Sequence, residues 1–266
     1  MKPFLKWAGG KFRIVDRIRA ALPTGRRLVE PFAGSGAVFL NTDYEEYLIA
    51  DSNADLINVF RQAKTGGAEF ARRAKSLFVP ENNQKDAFYR LRADFNNTSD
   101  LEYKAAVFIY LNRHCFNGLC RYNSKGIFNV PFGRYNRPTF PEAELANFSL
   151  KSQRCEFMVS DFRTTMKSAQ RGDVIYCDPP YVPLTATANF TDYTAGGFGA
   201  IDQQELADLA NELNSRGVPV VISNHDTKFT RLAYSSASIE AFDVQRFISR
   251  DASNRSKAAE LLAVFV

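Results

Sequence analysis

The sequence predicts an α/β fold in which a parallel sheet is interrupted by a long insertion. Short apolar runs typical of buried strands lie at 28–32, 47–50, 156–159, 174–177 and 218–223. The stretch between the second and third runs has the periodicity of helices and then the composition of loops. We therefore expect a sheet domain made of residues 1–64 and 151–266, with residues 65–150 inserted as a second, mostly helical domain.

Helices are expected around these strands. Apolar residues at helical spacing predict helices at 11–22, 37–41, 54–64 and 203–213. Residues 68–112 show the same spacing in several pieces, which are broken near Pro80 and at Asn96 and Asn97. Three further strands are predicted near the end of the chain, at 239–244, 245–248 and 261–266. The early succession of strand, glycine loop, helix, strand and acid is typical of a nucleotide-binding unit.

Length and composition narrow the class of protein. With 266 residues, of which 45% are hydrophobic, the chain is long enough to bury a full core. It has no apolar run of ~20 residues and no signal-peptide pattern, so we expect neither a membrane span nor secretion. Four cysteines without a CxxC pair and only two histidines favour neither a zinc site nor a disulfide framework. We therefore expect a metal-free monomer in a reducing cytoplasm.

The distribution of charge points to a polyanionic partner. The formal net charge is +5, yet no acidic residue lies between Glu102 and Glu142. The cations in this window are Lys104, Arg113, Arg121, Lys125, Arg134 and Arg137, and aromatic and asparagine side chains are interleaved with them. Cations bind phosphates, rings stack on bases and amides read base edges, so the window is typical of a nucleic-acid-binding segment. The alternative is an insertion with its own aromatic core.

The most distinctive motif is Asp178-Pro179-Pro180-Tyr181, which follows the apolar run at 174–177. The two prolines lack backbone N–H groups and fix φ, so neither a strand nor a helix continues through them. The motif thus forms a rigid corner at the carboxyl edge of the sheet, where open α/β sheets bind ligands. A flat ring can stack on Tyr181 while its amino group donates to Asp178 and to the Pro179 carbonyl. The alternative is a proline-rich turn with a capping aspartate.

A second candidate site follows the first strand. Gly34-Ser35-Gly36 is not a dinucleotide fingerprint, because the third glycine position is Phe39 and no lysine is placed for a pyrophosphate. Asp51, which ends the next strand, can accept hydrogen bonds from two ribose hydroxyls. These features suit a nucleoside cofactor without phosphates, and S-adenosylmethionine is the common one. The alternative for Asp51 is an N-cap of the following helix.

Four motifs in this order closely resemble those of the Dam-type DNA adenine methyltransferases, which belong to the alpha group of amino-methyltransferases. They are FLKWAGGK at 4–11, EPFAGSG at 30–36, FNVPFGRY at 128–135 and DPPY at 178–181. Two further segments, NGLCRYN at 117–123 and ISNHD at 222–226, extend the likeness over nearly the whole chain. The resemblance implies the seven-stranded, Rossmann-like sheet of S-adenosylmethionine-dependent methyltransferases, with an inserted, mostly helical DNA-recognition domain.

The resemblance also assigns the site residues. It implies that the cofactor lies against Trp7, Lys11, Phe32, Gly34, Gly36, Asp51, Phe162 and Asp178. Lys11 would face the cofactor carboxylate, and Phe162 would lie near its adenine. The catalytic residues would be Asp178, Pro179 and Tyr181.

On the DNA side, the resemblance implies contacts from Lys6, Phe116, Asn117, Leu119, Arg121, Pro131, Arg134 and Tyr135. Arg121 is the candidate reader of a guanine, because a bidentate arginine–guanine pair is the commonest specific contact. Arg134 is the candidate for a phosphate contact. One position departs from the family pattern: Phe116 stands where a tyrosine is expected to insert into the duplex, so a hydroxyl contact is lost.

The implied activity is methyl transfer from S-adenosylmethionine to the exocyclic amino group of a flipped adenine in double-stranded DNA, within GATC. Such an enzyme would act on the nucleoid. Two alternatives stay open: a methyltransferase for RNA or a protein glutamine, and a non-catalytic DNA-binding regulator. Irregular stretches at 185–200, with glycines at 196, 197 and 199, and at 250–257 predict a lid over the adenine and a second loop that reaches phosphate.

Overall fold

The computed structural model describes residues 1–182, 198–245 and 257–266. The strands in this part of the chain are β1 (Arg27–Glu30), β2 (Glu46–Asp51), β3 (Cys155–Val159), β4 (Asp173–Cys177), β5 (Val220–His225), β6 (Ser238–Gln245) and β7 (Lys257–Phe265). They form one seven-stranded sheet in the order β3-β2-β1-β4-β5-β7-β6. The sheet is the one that the resemblance implies, so this prediction is confirmed.

The strand directions explain where a ligand site is expected. β1 pairs in parallel with β2 and with β4, and the pairs β2–β3 and β4–β5 are parallel too. The last strand, β7, inserts antiparallel between β5 and β6. The strand order reverses between β1 and β4, which makes a topological switch point there. Ligands of open α/β sheets bind outside the carboxyl ends of the strands at such a point.

Helices cover the sheet and fill the insertion. They are α1 (Val15–Ala21), α2 (Ala54–Thr65), α3 (Gly67–Lys75), α4 (Lys85–Asn97), α5 (Leu101–His114), α6 (Glu142–Lys151), α7 (Phe162–Lys167), α8 (Ala200–Ser215) and α9 (Lys228–Ala233). The predicted break near Pro80 is confirmed by a 3-10 turn at Pro80–Asn82 that precedes α4, whereas Asn96 and Asn97 are the last residues of α4 and the second break is the three residues that follow them. The Asp100 carboxylate accepts from the Tyr103 N–H at 3.0 Å and so caps α5.

Two predicted helices differ from the structure. The segment 11–22 begins as a 3-10 turn at Lys11–Ile14 and becomes α-helical only at Val15. The segment 37–41 is not an α-helix but ends in a 3-10 turn, Phe39–Asn41. Its carbonyls are taken by side chains, because Asn41 Nδ2 donates to Ala37 and Thr42 Oγ1 donates to Val38. Local side-chain bonds of this kind compete with helix formation.

Three strands are predicted near the end of the chain, and the structure shows two of them among the residues that it describes. The run at 239–244 is β6 and the run at 261–266 is within or next to β7. The separate strand predicted at 245–248 begins at Gln245, which ends β6, and its other residues lie outside the described residues.

The sheet has a hydrophobic core on each face. Leu28 and Tyr176 face the core on the side of α2 and α5, whereas Val29 and Ile175 face α7 and α8. This alternation follows from the two-residue period of a strand. The first core also contains Phe95, Phe108 and Phe128, so it continues into the inserted residues. The division at residues 65 and 150 therefore stays a prediction.

Candidate active site and recognition surface

The carboxylate of Asp178 lies at the carboxyl end of β4, next to the switch point. Lys11, from the first 3-10 turn, places its ammonium 2.7 Å from Asp178 Oδ1. Ser223, on β5, donates from its hydroxyl to the same oxygen at 3.0 Å. Burial raises the pKa of Asp178, while Lys11 and Ser223 oppose the rise because they favour the charged form. The side chain keeps 23% exposure, so the carboxylate is reachable from the sheet edge.

Of the two proline carbonyls after Asp178, one accepts a hydrogen bond and the other has no described donor. Gln203, on α8, donates to the Pro180 carbonyl at 2.6 Å. Among residues 1–182, 198–245 and 257–266, none donates to the Pro179 carbonyl or to Asp178 Oδ2. Asp178 Oδ2 and the Pro179 carbonyl, on consecutive residues, are therefore two acceptors without a described donor, and their use by a substrate stays a prediction. The alternative of a capping aspartate is wrong, since Asp178 bonds to Lys11 and Ser223 instead.

The ring of Tyr181 is held by its surroundings. The Lys11 ammonium lies 4.4 Å from the ring centroid, a distance typical of a cation–π contact. His225 meets the same ring edge to face, with the centroids 4.7 Å apart. The Tyr181 hydroxyl donates to Glu260 on β7 at 3.3 Å. The orientation of this ring is thus set by three contacts from other elements.

A buried polar network supports the corner from below. The Val182 N–H donates to Asn224 Oδ1 at 3.1 Å. Asn224 Nδ2 in turn donates to Gln203 Oε1 at 3.0 Å and to Tyr234 Oη at 3.1 Å. Asn224, Gln203 and Tyr234 are all buried. Satisfied buried networks of this kind fix one arrangement, because breaking any bond leaves a polar group without water.

The glycine loop after β1 is shaped by close packing. Gly34 has φ +49°, and a Cβ there would lie 3.3 Å from the Trp7 indole. Gly36 has φ +71°, and a Cβ there would lie 2.4 Å from the Phe39 ring. Both positions therefore need glycine on conformational and steric grounds. Trp7 lies over the loop, which brings these predicted cofactor residues together.

Asp51 closes the other side of this loop. Its carboxylate accepts from the Gly34 N–H at 3.3 Å and from the Asn53 N–H at 2.9 Å. Burial raises the pKa of Asp51, and those backbone N–H groups oppose the rise. The alternative of an N-cap is wrong, because Asn53 caps α2 by accepting from the Leu56 N–H at 3.1 Å. Asp51 is therefore available for a ligand.

Three phenylalanines form an aromatic wall beside the loop. The Phe32 and Phe162 rings are stacked with their centroids 5.4 Å apart, so no other ring fits between them. Phe198, which the sequence did not single out, contacts both rings at 5.6 and 5.3 Å. A flat ligand ring therefore has to meet the outside of this cluster rather than enter it.

We call the predicted DNA-contacting residues the recognition surface, because several of them contact one another at exposed or half-buried positions. It consists of Lys6, Phe116, Asn117, Leu119, Arg121, Pro131, Arg134 and Tyr135. Phe116 begins a 3-10 turn and donates its N–H to the Pro131 carbonyl at 2.9 Å. The Asn117 N–H donates to the Tyr135 hydroxyl at 3.0 Å, and the Lys6 ammonium lies 4.5 Å from the Tyr135 ring centroid.

The recognition surface is more exposed than the corner. Phe116 is 50% exposed, and Asn117 and Arg134 have left-handed backbone, each with φ 54°. Non-glycine residues seldom adopt that conformation, so it is worth noting at a functional surface. Arg121 is exposed and donates from Nε to Asn129 Oδ1 at 2.8 Å. Within the described ranges, no residue pairs with the Arg134 guanidinium.

The insertion also has an aromatic core of its own. Tyr110 and Phe128 are buried, while Phe132 packs against Phe88. The basic window at 103–141 therefore has exposed cations, as a nucleic-acid-binding segment would, and also an aromatic core, which was the alternative. Buried Asn112 links it to the N-terminal segment, since its side chain accepts from the Lys6 N–H and donates to the carbonyls of Lys6 and Gly118.

Comparison with known proteins decides the family. The family model for D12 class N6 adenine-specific DNA methyltransferases matches residues 7–248. The DNA adenine methylase of Serratia marcescens is 52% identical over 265 residues, 99% of this chain and 98% of that protein. The chain belongs to the D12 class N6 adenine-specific DNA methyltransferases. This confirms the Dam-type resemblance, and such an enzyme uses a methyl donor and acts on adenine in DNA.

Other relatives agree with this methyltransferase assignment. The DNA adenine methylases of Vibrio cholerae O395 and Escherichia coli K12 are 51% and 48% identical, each over 99% of this chain and over 96% and 95% of their own lengths. Among solved structures, precorrin 8W decarboxylase of Methanobacterium thermoautotrophicum covers 100% of the chain with 10% identity and a TM-score of 0.42, which carries no argument.

Several residues of this methyltransferase site were not predicted from the sequence. Glu30 is buried at the end of β1, its Oε1 has no partner among the residues that the structure describes, and desolvation raises its pKa to about 8. Ser223 and Asn224 fall in the ISNHD segment and Phe198 falls in the predicted lid, but Gln203 carried no signal. The segments predicted as a lid and a second loop lie almost wholly outside the described residues. Of that lid, residues 198–200 are described, and the Gly199 N–H donates to Asp202 at 2.6 Å before α8.

Metal-binding clusters and membrane-spanning helices can be assessed in the described part of the chain. In residues 1–182, 198–245 and 257–266, no group of three or more His, Cys, Asp or Glu side chains is placed to hold a metal ion. In the same ranges, no helix is long and apolar enough to cross a membrane.

Proposed function

We propose that this methyltransferase moves a methyl group from S-adenosylmethionine to the exocyclic amino group of adenine within GATC in double-stranded DNA. One observation carries the proposal. Asp178 Oδ2 and the Pro179 carbonyl have no described donor, and the Lys11 ammonium that contacts Asp178 Oδ1 also contacts the ring of Tyr181, three residues along the chain. Two acceptors and one aromatic face match an adenine, which offers two N–H donors and a flat ring.

The two acceptors supply the chemistry that the amino group needs. The nitrogen of adenine is a poor nucleophile because its lone pair is delocalised into the ring. Hydrogen bonds to Asp178 and Pro179 favour a more tetrahedral nitrogen, whose lone pair is localised. The same bonds stabilise the positive charge that develops on that nitrogen, which is electrostatic catalysis by prearranged groups. Stacking on Tyr181 fixes the direction of attack.

The target adenine has to leave the duplex to reach the corner. Flipping a base costs a few kcal/mol of stacking and pairing. Phe116 is the exposed ring on the recognition surface, and a ring inserted into the duplex can replace part of the lost stacking. We assign Asn117, next to it and in a left-handed conformation, to the same DNA contact.

The loop and the aromatic wall suit S-adenosylmethionine. Asp51 is a half-buried carboxylate of the kind that binds ribose hydroxyls, and Trp7, Phe32 and Phe162 offer apolar surface. We assign Gly34, Gly36 and Lys11 to the same pocket, with Lys11 shared with the corner. When bound, the cofactor supplies an electrophilic methyl group. Asp178 borders both the pocket and the corner.

The recognition surface supplies sequence selection. We assign Arg121, braced by Asn129, to a guanine edge, and Arg134, which has no described partner, to a phosphate. Lys6, Leu119, Pro131 and Tyr135 complete the surface. The preference for GATC rests on the resemblance and on the names of the relatives. We further propose that residues 65–150 form the recognition domain and that the enzyme works as a monomer on cytoplasmic, nucleoid DNA.

The two rival activities are less well supported. A methyltransferase for RNA or protein glutamine does not fit a family defined by adenine in DNA. A non-catalytic regulator would not need the corner, yet both open acceptors and the ring are in place.

The test is a radiolabelled methyl-transfer assay with identification of the product nucleoside. A GATC duplex should gain label as N6-methyladenine, whereas a duplex in which GGCC replaces GATC and a GATC duplex already methylated on both strands should not. RNA of the same sequence is the third control. Label in RNA or protein, or cofactor binding without transfer to any duplex, would refute the proposal.

A further inference from the structure

Two buried hydroxyl groups lie in a row below the Asp178 carboxylate. Tyr176 Oη lies 3.0 Å from Ser223 Oγ, which lies 3.0 Å from Asp178 Oδ1. Tyr176 is 1% exposed and Ser223 is 0% exposed. They come from the neighbouring strands β4 and β5, whose backbone pairing does not involve either hydroxyl. Polar side chains at such core positions are costly unless every group is bonded.

The direction of these hydrogen bonds follows from the acceptors. Ser223 has one proton, and the Asp178 carboxylate is a stronger acceptor than a phenol oxygen. The Cys177 carbonyl lies farther from Ser223 Oγ, at 3.4 Å. Ser223 therefore donates to Asp178, and Tyr176 donates to Ser223. The pKa of Tyr176 is raised well above its usual value by burial, so the phenol keeps its proton.

Both donors to Asp178 reach the same oxygen. Lys11 and Ser223 approach Oδ1 at 2.7 and 3.0 Å, one from the N-terminal segment and one from β5. Two donors on one oxygen fix the rotation of the carboxylate about its last bond. Oδ2 is thereby turned away from them, toward the side where no described residue donates.

We propose that Ser223, supported by Tyr176, is a positioning residue that turns Asp178 so that Oδ2 accepts the amino group of the substrate. The inference rests on the proposed function and adds to it which oxygen works and what holds it. Lys11 alone leaves the carboxylate free to rotate and to pair through either oxygen. Ser223 removes that freedom before the substrate arrives, which is the preorganisation that electrostatic catalysis requires.

The groups that face Asp178 come from several elements. They are Lys11 from the 3-10 turn, Glu30 from β1, Tyr176 and Cys177 from β4, Tyr181 from the corner and Ser223 from β5. Only Lys11 carries a positive charge, and Glu30 titrates at a pKa of about 8. A variant at Ser223 leaves all the other groups in place, so a difference between two pH profiles isolates Asp178.

The decisive variant is Ser223→Ala, with Ser152→Ala as its matched control. Ser152 is also 0% exposed and hydrogen-bonded, to the Ser149 carbonyl, but it lies away from the corner. Ser223→Ala should lower kcat about 10- to 100-fold, the usual effect of losing a hydrogen bond to a charged group. The KM values for duplex and cofactor should stay within about twofold, because binding contacts are kept.

The pH profile gives a readout that a purely structural role would not move. Loss of a donor to the charged carboxylate raises the pKa of Asp178, so the acid limb of kcat should shift to higher pH in Ser223→Ala. Ser223→Thr keeps the hydroxyl and should restore both kcat and the limb. Tyr176→Phe leaves the hydrogen bond from Ser223 to Asp178 intact, so kcat should fall by less than about threefold and the acid limb should shift slightly in the same direction.

Each outcome separates the two proposals. If wild type methylates the GATC duplex and Ser223→Ala behaves like Ser152→Ala in kcat and in pH profile, Ser223 is structural and the inference is wrong. If kcat and thermal stability fall together in Ser223→Ala while the acid limb stays, the inference is also wrong. If wild type methylates no adenine at all, the proposed function fails first.

Discussion

The catalytic corner at 178–182 and the recognition surface are built in opposite ways. Asp178, Tyr181 and Val182 are each held by two or three contacts from other elements, and most of those partners are buried. Phe116, Arg121 and Arg134 are exposed, and their own contacts are few. The corner has its geometry in the free protein, whereas the surface has cations and rings that await a partner.

The difference follows from what each region does. Acceptors stabilise a developing charge only if they need no rearrangement during the reaction, so their order is best fixed during folding. Phosphates and base edges are reached by long side chains that keep water and freedom until DNA binds. The backbone beneath the recognition surface is nevertheless fixed. The side chain of buried Asn112 accepts from the Lys6 N–H and donates to the carbonyl of Gly118 in the 3-10 turn at 116–118.

The largest effect is expected where the corner is broken. Asp178→Ala removes the charged acceptor that we assign to the substrate amino group and should lower kcat by ~10³-fold or more, while duplex binding changes little. A labelled methyl-transfer assay measures the first quantity and fluorescence anisotropy the second. Asp208→Ala, an exposed carboxylate on α8, is the control. Activity within a few fold of wild type in Asp178→Ala would remove this residue from the chemistry.

The second prediction concerns how the free energy of unfolding depends on pH through Glu30, a buried carboxyl at the end of β1. Glu30 has a pKa of about 8 when folded, above its value of 4.5 in a model compound, so the folded state holds its proton longer than the unfolded chain. The stability linked to Glu30 is present below about pH 4.5 and is lost as pH rises toward 8. The loss should be roughly 3 kcal/mol between pH 5 and pH 8.

Urea denaturation at the two pH values measures this loss. Glu30→Gln cannot ionise, so its free energy of unfolding should fall less than that of wild type over the same range. Subtracting the change in the free energy of unfolding of Glu30→Gln from that of wild type removes the contributions of the other titrating groups that the two proteins share. Parallel curves for wild type and Glu30→Gln would show that Glu30 does not titrate as its burial requires.

On the recognition surface, a base-reading side chain should matter more for selectivity than for affinity. Arg121→Ala should cost about 1–3 kcal/mol of discrimination at one guanine position. The measurement is kcat/KM on GATC against duplexes with each G·C pair replaced in turn. Equal losses on every duplex would mean that Arg121 contacts phosphate instead.

The smallest effect is expected for a side chain that contacts phosphate. Arg134→Ala should weaken binding to all duplexes alike and reduce the slope of log affinity against log salt by about one. The measurement is anisotropy over a range of salt concentrations on GATC and GTTC duplexes. A loss confined to GATC would assign Arg134 to base reading.

Much of the corner could be predicted because its signals are local. Prolines that stop a strand, glycines at positive φ and an acid after an apolar run are read directly from neighbouring residues. The same reasoning failed at 37–41, where Asn41 and Thr42 take the carbonyls that a helix would use. Apolar spacing does not report that competition.

The support of the corner could not be predicted, because it is assembled across elements. Gln203 on α8 and Ser223 on β5 meet the corner only once the sheet order is known. The insertion of β7 between β5 and β6, which brings Glu260 to Tyr181, likewise has no local signal. The roles of the recognition residues rest on resemblance, since exposed side chains with few contacts leave little for geometry to decide.

Hydrogen exchange measured by mass spectrometry tests most directly whether the corner is set before DNA arrives. Peptides covering 174–182 and 115–135 are compared in the enzyme with cofactor alone and with cofactor plus a GATC duplex. The corner peptide should be strongly protected in both states, because its amides are buried or bonded to groups such as Asn224. The peptide from 115–135 should gain protection only with the duplex. Protection that rises equally in both peptides would contradict a preformed corner.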